Sequence, residues 1–221
     1  MRASKPDFMP AILRFGWIFL LLVGCAALPG PAPRPSTFDL GPSPTGAAAT
    51  AKPQAEPPLA LATPDAAPAY ETTAMRYRYD GGAAAYELHA YAQARWSATP
   101  AQLVGVRLRE RLALDRPVVA PGEASAPRLL RVQIEDFSQV FAAAPAGPGT
   151  ASRGVVRLRA TLTDTTGPRP KLLAQRLFEA ERPAPSADAA GGVQALTAAT
   201  DAALESLAQW LREVQPPASR P

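Results

Sequence analysis

The distribution of proline most constrains what this chain can fold into. The sequence contains 26 prolines, and most of them lie outside the segments with hydrophobic periodicity, crowding residues 29–68 and recurring at 117–127, 145–148 and 183–185. Proline lacks a backbone N–H and fixes φ, so these stretches interrupt helices and sheets alike. What remains suits one core of roughly 140 residues, enough to fold without a metal or a disulfide.

The charge of the chain is modest and alternates in sign. Residues 1–24 hold three basic side chains and one acidic one, so without them the formal net charge falls from +4 to +2. Because no basic patch remains, the sequence gives no indication of nucleic-acid binding.

The first residues have the pattern of a secretory leader. Arg2, Lys5 and Arg14 precede an apolar run over residues 15–24. That run is about half the length needed to span a bilayer as a helix. A basic segment before a short apolar run is typical of a cleaved signal peptide, which we predict over residues 1–24.

Cys25, the only cysteine of the protein, directly follows this run in Leu22-Val23-Gly24-Cys25. The tetrapeptide resembles the bacterial lipobox. The resemblance implies diacylglyceryl transfer to Cys25, cleavage between Gly24 and Cys25, and acylation (palmitate or similar) of the new amino terminus. An ordinary signal peptide with an incidental cysteine is the alternative. Ala26, where an aspartate is the usual retention signal for the inner membrane, favours the outer membrane facing the periplasm.

A linker is expected over residues 25–70. Proline, alanine, glycine, threonine and serine dominate it, with too few large apolar side chains to offset the entropy of ordering. Phe38 and Leu40 alternate with polar neighbours, so residues 36–42 are expected to form a short strand that pairs with the sheet. The domain is assigned to residues 71–215 and a disordered tail to residues 216–221.

Periodic segments predict the elements of this domain. Thr99 as N-cap and Pro100 at the first helical position start a helix that runs to about Leu114. A second amphipathic helix follows Gly191-Gly192 and ends before Pro216.

Strands are expected from residue 86 towards Trp96, over residues 129–141 and 156–163 as an antiparallel hairpin, and over residues 171–181. Two helices and three to five mostly antiparallel strands predict a two-layer α+β domain, with the helices on one sheet face.

Five segments, in this order along the chain, resemble the ABC-type transport auxiliary lipoprotein family. They are the lipobox at Cys25 and residues 37–42, 86–96, 130–141 and 183–192. Residues 92–96 depart from the family pattern, since a polar residue such as asparagine is expected before Arg95, and a charged residue is missing near Ala98. The resemblance implies a periplasmic adaptor on the outer membrane that works with an ABC permease, an ATPase and an MCE-type protein in moving phospholipids or related apolar molecules.

The residues themselves give little support for catalysis. His89 is the only histidine, and no serine lies in a Gly-x-Ser-x-Gly turn. A zinc site is not expected either, because the lipid is expected to occupy Cys25 and a single histidine is too few ligands. We therefore predict no enzyme activity, no metal and no cofactor.

Four residues are candidates for contact with a partner or a lipid: Tyr86, Tyr91, Arg95 and Trp96. The alternative is that the aromatic side chains fill the core, and this alternative is favoured for Tyr91.

Two further functional hypotheses remain open at this stage. The chain is also compatible with a structural lipoprotein of another envelope assembly, such as a secretion or polysaccharide-export complex. In the other hypothesis the domain itself holds a lipid. A homo-oligomer is compatible with the sequence, which does not count subunits.

Overall fold

Residues 34–44, 56–142 and 151–214 are described by a computed structural model of the chain. All of them except Arg34 belong to one unit that begins at Pro35. The predicted signal peptide, Gly24, Cys25 and the predicted tail at 216–221 lie outside the described residues.

Nine strands, two α-helices and two short 3-10 helices follow one another along the described residues. They are β1 (Ser36–Phe38), β2 (Leu59–Leu61), β3 (Asp65–Ala66), the 3-10 helix Pro68–Tyr70, β4 (Ala74–Tyr79), the 3-10 helix Ala83–Tyr86, β5 (His89–Trp96), α1 (Pro100–Ala113), β6 (Val118–Val119), β7 (Arg128–Phe141), β8 (Ser152–Asp164), β9 (Lys171–Pro183) and α2 (Ala189–Val214).

The long strand β7 organises the sheet. On one side it pairs antiparallel with β8 over its whole length, and β8 pairs in turn with β9 at the sheet edge. On the other side β2, β3 and β4 pair with β7 one after another, all parallel to it. They are parallel because residues 59–79 make a single pass along this edge, from the level of Arg128 to the level of Phe141.

The remaining strands complete the sheet. β5 pairs antiparallel with β4, β1 adds parallel to β5, and β6 adds parallel to β2. The fold is α+β, as predicted. The long strands are antiparallel as expected, while the short ones add parallel pairs that the sequence did not indicate.

Both helices lie on one face of the sheet and enclose the core. Along β7 the buried side chains of Leu130, Val132 and Ile134 alternate with exposed Arg131 and Gln133, as the periodicity predicted. A register shift between Ile134 and Asp136 interrupts this alternation. Beyond the shift both faces of β7 are covered, and residues 136–141 are all buried.

The predicted helices are present with small differences. α1 begins with the expected cap. The Thr99 hydroxyl accepts a hydrogen bond from the backbone N–H of Gln102, and the Gln102 side-chain oxygen accepts one from the backbone N–H of Thr99. α2 begins at Ala189, so the two glycines expected before the helix lie inside its first turn. A Cβ at Gly192 would lie 2.1 Å from Gln139 Oε1, so this glycine allows α2 to approach β7 closely.

The segment from residue 56 to residue 70 differs from the expected linker. Leu59 and Leu61 in β2 are 1 % and 2 % exposed, and Tyr70 is also buried. The folded part therefore begins well before residue 71. Strand β1, by contrast, forms within residues 36–42 as predicted and pairs with β5.

Gly154 in β8 allows α2 to pack directly on the sheet, and its replacement tests that packing. A Cβ there would lie 2.5 Å from the Leu196 backbone nitrogen, which has no flexible side chain to move aside. We expect Gly154→Ala to lower the free energy of unfolding by about 1–2 kcal/mol, because overpacking outweighs the smaller entropy gain of alanine. Urea unfolding measures this.

Gly167→Ala is the matched control for Gly154→Ala, since the nearest atom to its Cβ is 3.7 Å away. Equal stabilities of the two variants would contradict the packing described here.

Candidate functional site

Five rings cluster at one end of the sheet, where β4 and β7 end and β5 begins. We call this cluster the aromatic end; its members are Tyr77, Tyr79, His89, Tyr91 and Phe141. Tyr77 is central, stacking on His89 at 5.1 Å between centroids, tilted towards Tyr91 at 4.8 Å and edge-on to Phe141 at 5.7 Å. These ring contacts fix the orientation of the side chains in the cluster. Part of the cluster remains exposed to solvent.

Buried polar groups fix the base of the aromatic end. The Tyr91 hydroxyl donates to Gln139 Oε1 at 2.7 Å, and the Gln139 amide donates to the Ser152 hydroxyl at 2.8 Å. Gln139 is fully buried and lies against Gly192 of α2. Burial raises the pKa of the Tyr91 phenol, so it stays neutral and able to donate over the physiological range.

An exposed loop borders the aromatic end. We call residues 80–88, which connect β4 to β5, the rim loop. Gly81 and Gly82 both have positive φ, which glycine adopts at little cost. The loop exposes 92 % of Tyr86 and 37 % of Leu88, and neighbouring Tyr79 is also 37 % exposed.

Carboxylates outnumber arginine among the charged groups around the aromatic end. Arg153 contacts Asp80 at 2.6 Å and Glu181 at 2.8 Å, and His89 lies 3.4 Å from Glu87. Residues 81–86 carry no charge at all. The surface is therefore amphipathic: it is apolar over residues 81–86 and net negative nearby, where Asp80, Glu87 and Glu181 outnumber Arg153.

The four candidate contact residues have different surroundings. Tyr86 is exposed in the rim loop, Tyr91 is half-buried in the aromatic end, and Arg95 is exposed on β5. Trp96 is only 1 % exposed and packs edge-on against Phe137 at 5.4 Å, so it belongs to the core and not to a contact surface.

Tyr77, Tyr79 and Phe141 are members of the cluster that the sequence did not indicate. The alternation of tyrosine with arginine in Arg76-Tyr77-Arg78-Tyr79 is the signal that could have found two of them.

A second polar arrangement fastens the segment after β1 to both helices. Arg107 of α1, 5 % exposed, forms an ion pair with Asp201 of α2, with Nη2 3.0 Å from Oδ2. Its Nη1 also donates to the carbonyl oxygens of Leu40 at 3.0 Å and Gly41 at 3.1 Å. We call this arrangement the Arg107 clamp. It holds the segment that follows β1 against both helices.

A third buried cluster lies around Asp136, on β7. This carboxylate accepts from Tyr70 at 2.9 Å and Ser138 at 2.6 Å, and it pairs with Arg78 at 2.7 Å. Burial and then the negative charge of Asp136 raise the pKa of Tyr70 from its usual 10.0 to about 12. The cluster joins the 3-10 helix Pro68–Tyr70 to the sheet.

This shift predicts a loss of stability at alkaline pH. A raised pKa in the folded state stabilises the fold below the unfolded value, near pH 10, and this contribution disappears as the pH rises towards 12. We expect the free energy of unfolding of Tyr70→Phe to fall less than that of the unchanged chain between about pH 10 and pH 12. The exposed Tyr86→Phe is the matched control, and identical alkaline profiles for all three proteins would contradict the assignment.

Neither a metal site nor a membrane-spanning helix is found in the described part of the chain. No group of three or more His, Cys, Asp or Glu side chains is arranged there to hold a metal ion. None of the described helices combines the length and the apolarity that crossing a membrane requires.

The described residues form a small two-layer α+β domain with a cluster of aromatic side chains at one end of its sheet. The chain belongs to the family of ABC-type transport auxiliary lipoprotein components, whose profile matches residues 38–208. The match confirms the resemblance seen in the sequence. It makes the protein a lipoprotein of the cell envelope that serves a transport system.

Solved structures share the fold. Protein XCC0632 from Xanthomonas campestris, of the DUF330 family, superposes with a TM-score of 0.62 at 20 % identity, covering 82 % of this chain and 94 % of its own. An uncharacterized protein superposes with a TM-score of 0.59 at 13 % identity, covering 80 % and 99 %. No curated protein matches the chain.

Proposed function

We propose that this protein is a non-catalytic, periplasm-facing component of an MCE-associated ABC transport system, anchored to the outer membrane by lipid on Cys25. Phospholipids or other apolar molecules are the proposed cargo, and an MCE-type protein, a permease and an ATPase are the proposed partners. The observation that carries the proposal is the family match over residues 38–208, which includes the clamped segment and most of the described domain.

The surroundings of His89 support a non-catalytic role. Within the described residues its recorded contacts are the rings of Tyr77 and Tyr79 and the carboxylate of Glu87. None of these is a serine or a cysteine, the nucleophiles that a histidine base activates in Ser–His and Cys–His pairs. The histidine instead extends the aromatic surface.

The Arg107 clamp supports a role that depends on a lipid anchor. A lipid anchor holds a folded domain near the membrane only if the connecting chain is firmly attached to that domain. Arg107 binds two backbone carbonyls of the segment just after β1 and joins this segment to both helices. The domain is therefore well suited to being held near a membrane.

Deletion strains test the proposed role. We expect cells without this protein, cells without the permease and cells without both to share one envelope-lipid defect, measured as the phospholipid composition of the outer membrane. The double deletion is expected to be no worse than either single one. Additive defects would place the protein in a different system.

A Cys25→Ser variant tests the anchor within the same experiment. It keeps the whole domain but removes the thiol to which the lipid is attached. We expect it to fail to restore the deletion strain, whereas full restoration would contradict the anchoring role of Cys25.

A further inference from the structure

We propose that the aromatic end and the rim loop rest on the bilayer interface, forming a second membrane contact beside the lipid on Cys25. The proposal deepens the proposed function, because it rests on attachment of the chain to the membrane through Cys25. In this proposal the side chains of Tyr79, Tyr86 and Leu88 contact lipid and not a partner protein.

The direction of β1 is the first argument. Ser36 is paired with Ala94 and Phe38 with Trp96, so β1 runs parallel to β5. The amino-terminal end of β1 therefore points towards the start of β5, where His89 lies in the aromatic end. The chain enters the domain from the side of this surface.

The length of the linker is the second argument. Eleven residues separate Cys25 from Ser36, so the linker spans at most about 40 Å even when fully extended. Ala94 is five positions from His89, about 17 Å along β5, so the linker has length enough to reach beyond the aromatic end.

The linker would need a longer path to bring the opposite end of the sheet to the membrane. To bring the end near Arg128 to the membrane, the linker would have to reverse its direction and run back beside the domain for about 25 Å. That path uses most of the available length. The short linker therefore favours the aromatic end as the membrane-facing side.

The chemistry of the surface fits a bilayer interface. Tyrosine combines an apolar ring with a hydroxyl and is enriched where hydrocarbon meets water. The rim loop exposes Tyr86 and Leu88 together with Ala83 and Ala85, while Glu87 lies between the two larger side chains and 3.4 Å from His89. The apolar side chains can enter the interface while the exposed carboxylate of Glu87 stays on its water side.

The pairing of charges indicates which lipids are needed. Arg153 faces two carboxylates, Asp80 and Glu181, so the surface offers no excess of positive charge to anionic headgroups. The contact should therefore form on a zwitterionic bilayer and depend little on salt, because screening acts on charges and not on apolar contacts.

A depth measurement tests the proposal without relying on native lipidation. Cys25 is the only thiol of the chain, so the mature protein, residues 25–221, can be coupled through it to a maleimide lipid in phosphatidylcholine vesicles. Tyr86→Trp places a fluorophore in the rim loop, and brominated lipids quench only fluorophores that reach the bilayer. We expect a blue shift and strong quenching, unchanged by added salt.

Leu172→Trp is the matched control. Leu172 is 60 % exposed and lies near the start of β9, at the opposite end of the sheet. We expect its emission to be neither shifted nor quenched beyond that of the buried Trp96 and Trp210. Equal quenching of both variants, or quenching of Leu172→Trp alone, would overturn the proposal.

Absence of quenching at Tyr86→Trp would also overturn it, and cross-linking from the same position to an envelope protein would identify a protein surface instead. Failure of native lipidation leaves the chemically coupled protein unaffected. The test therefore separates this inference from the anchor that the proposed function requires.

Discussion

Replacing Trp96 with alanine is expected to lower the free energy of unfolding by about 3–5 kcal/mol, the usual range for removing a large aromatic side chain from a core. Trp96 is 1 % exposed and packs against Phe137. The loss arises from the apolar surface no longer buried and from the cavity that remains. Urea or thermal unfolding of the unlipidated mature chain measures it.

Tyr86→Ala is the matched control for this prediction. Tyr86 is also a large aromatic residue among the candidate contact residues, yet it is 92 % exposed. We expect its replacement to change stability by less than about 0.5 kcal/mol. A Trp96→Ala variant as stable as Tyr86→Ala would show that Trp96 lies on the surface, contrary to the structure.

Replacing Asp201 with alanine is expected to lower the free energy of unfolding by about 2–3 kcal/mol. The change leaves the Arg107 guanidinium buried with only backbone carbonyls as partners. Breaking a fully buried ion pair costs about 3–5 kcal/mol, and breaking an exposed one about 0–1 kcal/mol. The Asp201 side chain is 30 % exposed, so an intermediate value is expected.

Glu205→Ala is the matched control for Asp201→Ala, because the Glu205–Arg111 pair joins the same two helices one turn further along and Glu205 is 59 % exposed. We expect it to cost less than about 1 kcal/mol. The double variant Arg107→Met with Asp201→Ala should regain part of the lost stability, since no unpaired charge stays buried. Equal effects of Asp201→Ala and Glu205→Ala would contradict the role of the Arg107 clamp.

Long periodic segments could be predicted from the sequence because their apolar residues repeat over several turns or strand pairs. The helix that begins after Thr99, the hairpin of β7 and β8 and the α+β class were predicted in this way and are confirmed. The short strands were missed for a physical reason. Leu59-Ala60-Leu61 is too short to show a period, and only its pairing with β7 makes it a strand.

The surface residues were harder to predict than the elements. Arg95 and Trp96 are neighbours on β5, so they point to opposite sides of the strand, and only the tertiary structure decides which side is buried. Tyr77 and Phe141 are distant in sequence and meet because β4 and β7 are paired in register at their ends. A single sequence carries no signal for such a meeting.

Two features of the structure bear on how the domain is held at a membrane. The clamp holds the chain after β1 to both helices, and β1 points towards the aromatic end. We propose that a short lipidated linker and this apolar surface together hold the domain on the membrane. Its remaining surfaces would then face the periplasm and the transport partners.

The most direct test of the proposed role is to cross-link the intact lipidated protein mildly in membranes, purify it and identify its partners by mass spectrometry. Our account predicts recovery of an MCE-type protein together with its permease and ATPase. Recovery of a secretion or polysaccharide-export complex, without any of these three, would contradict it.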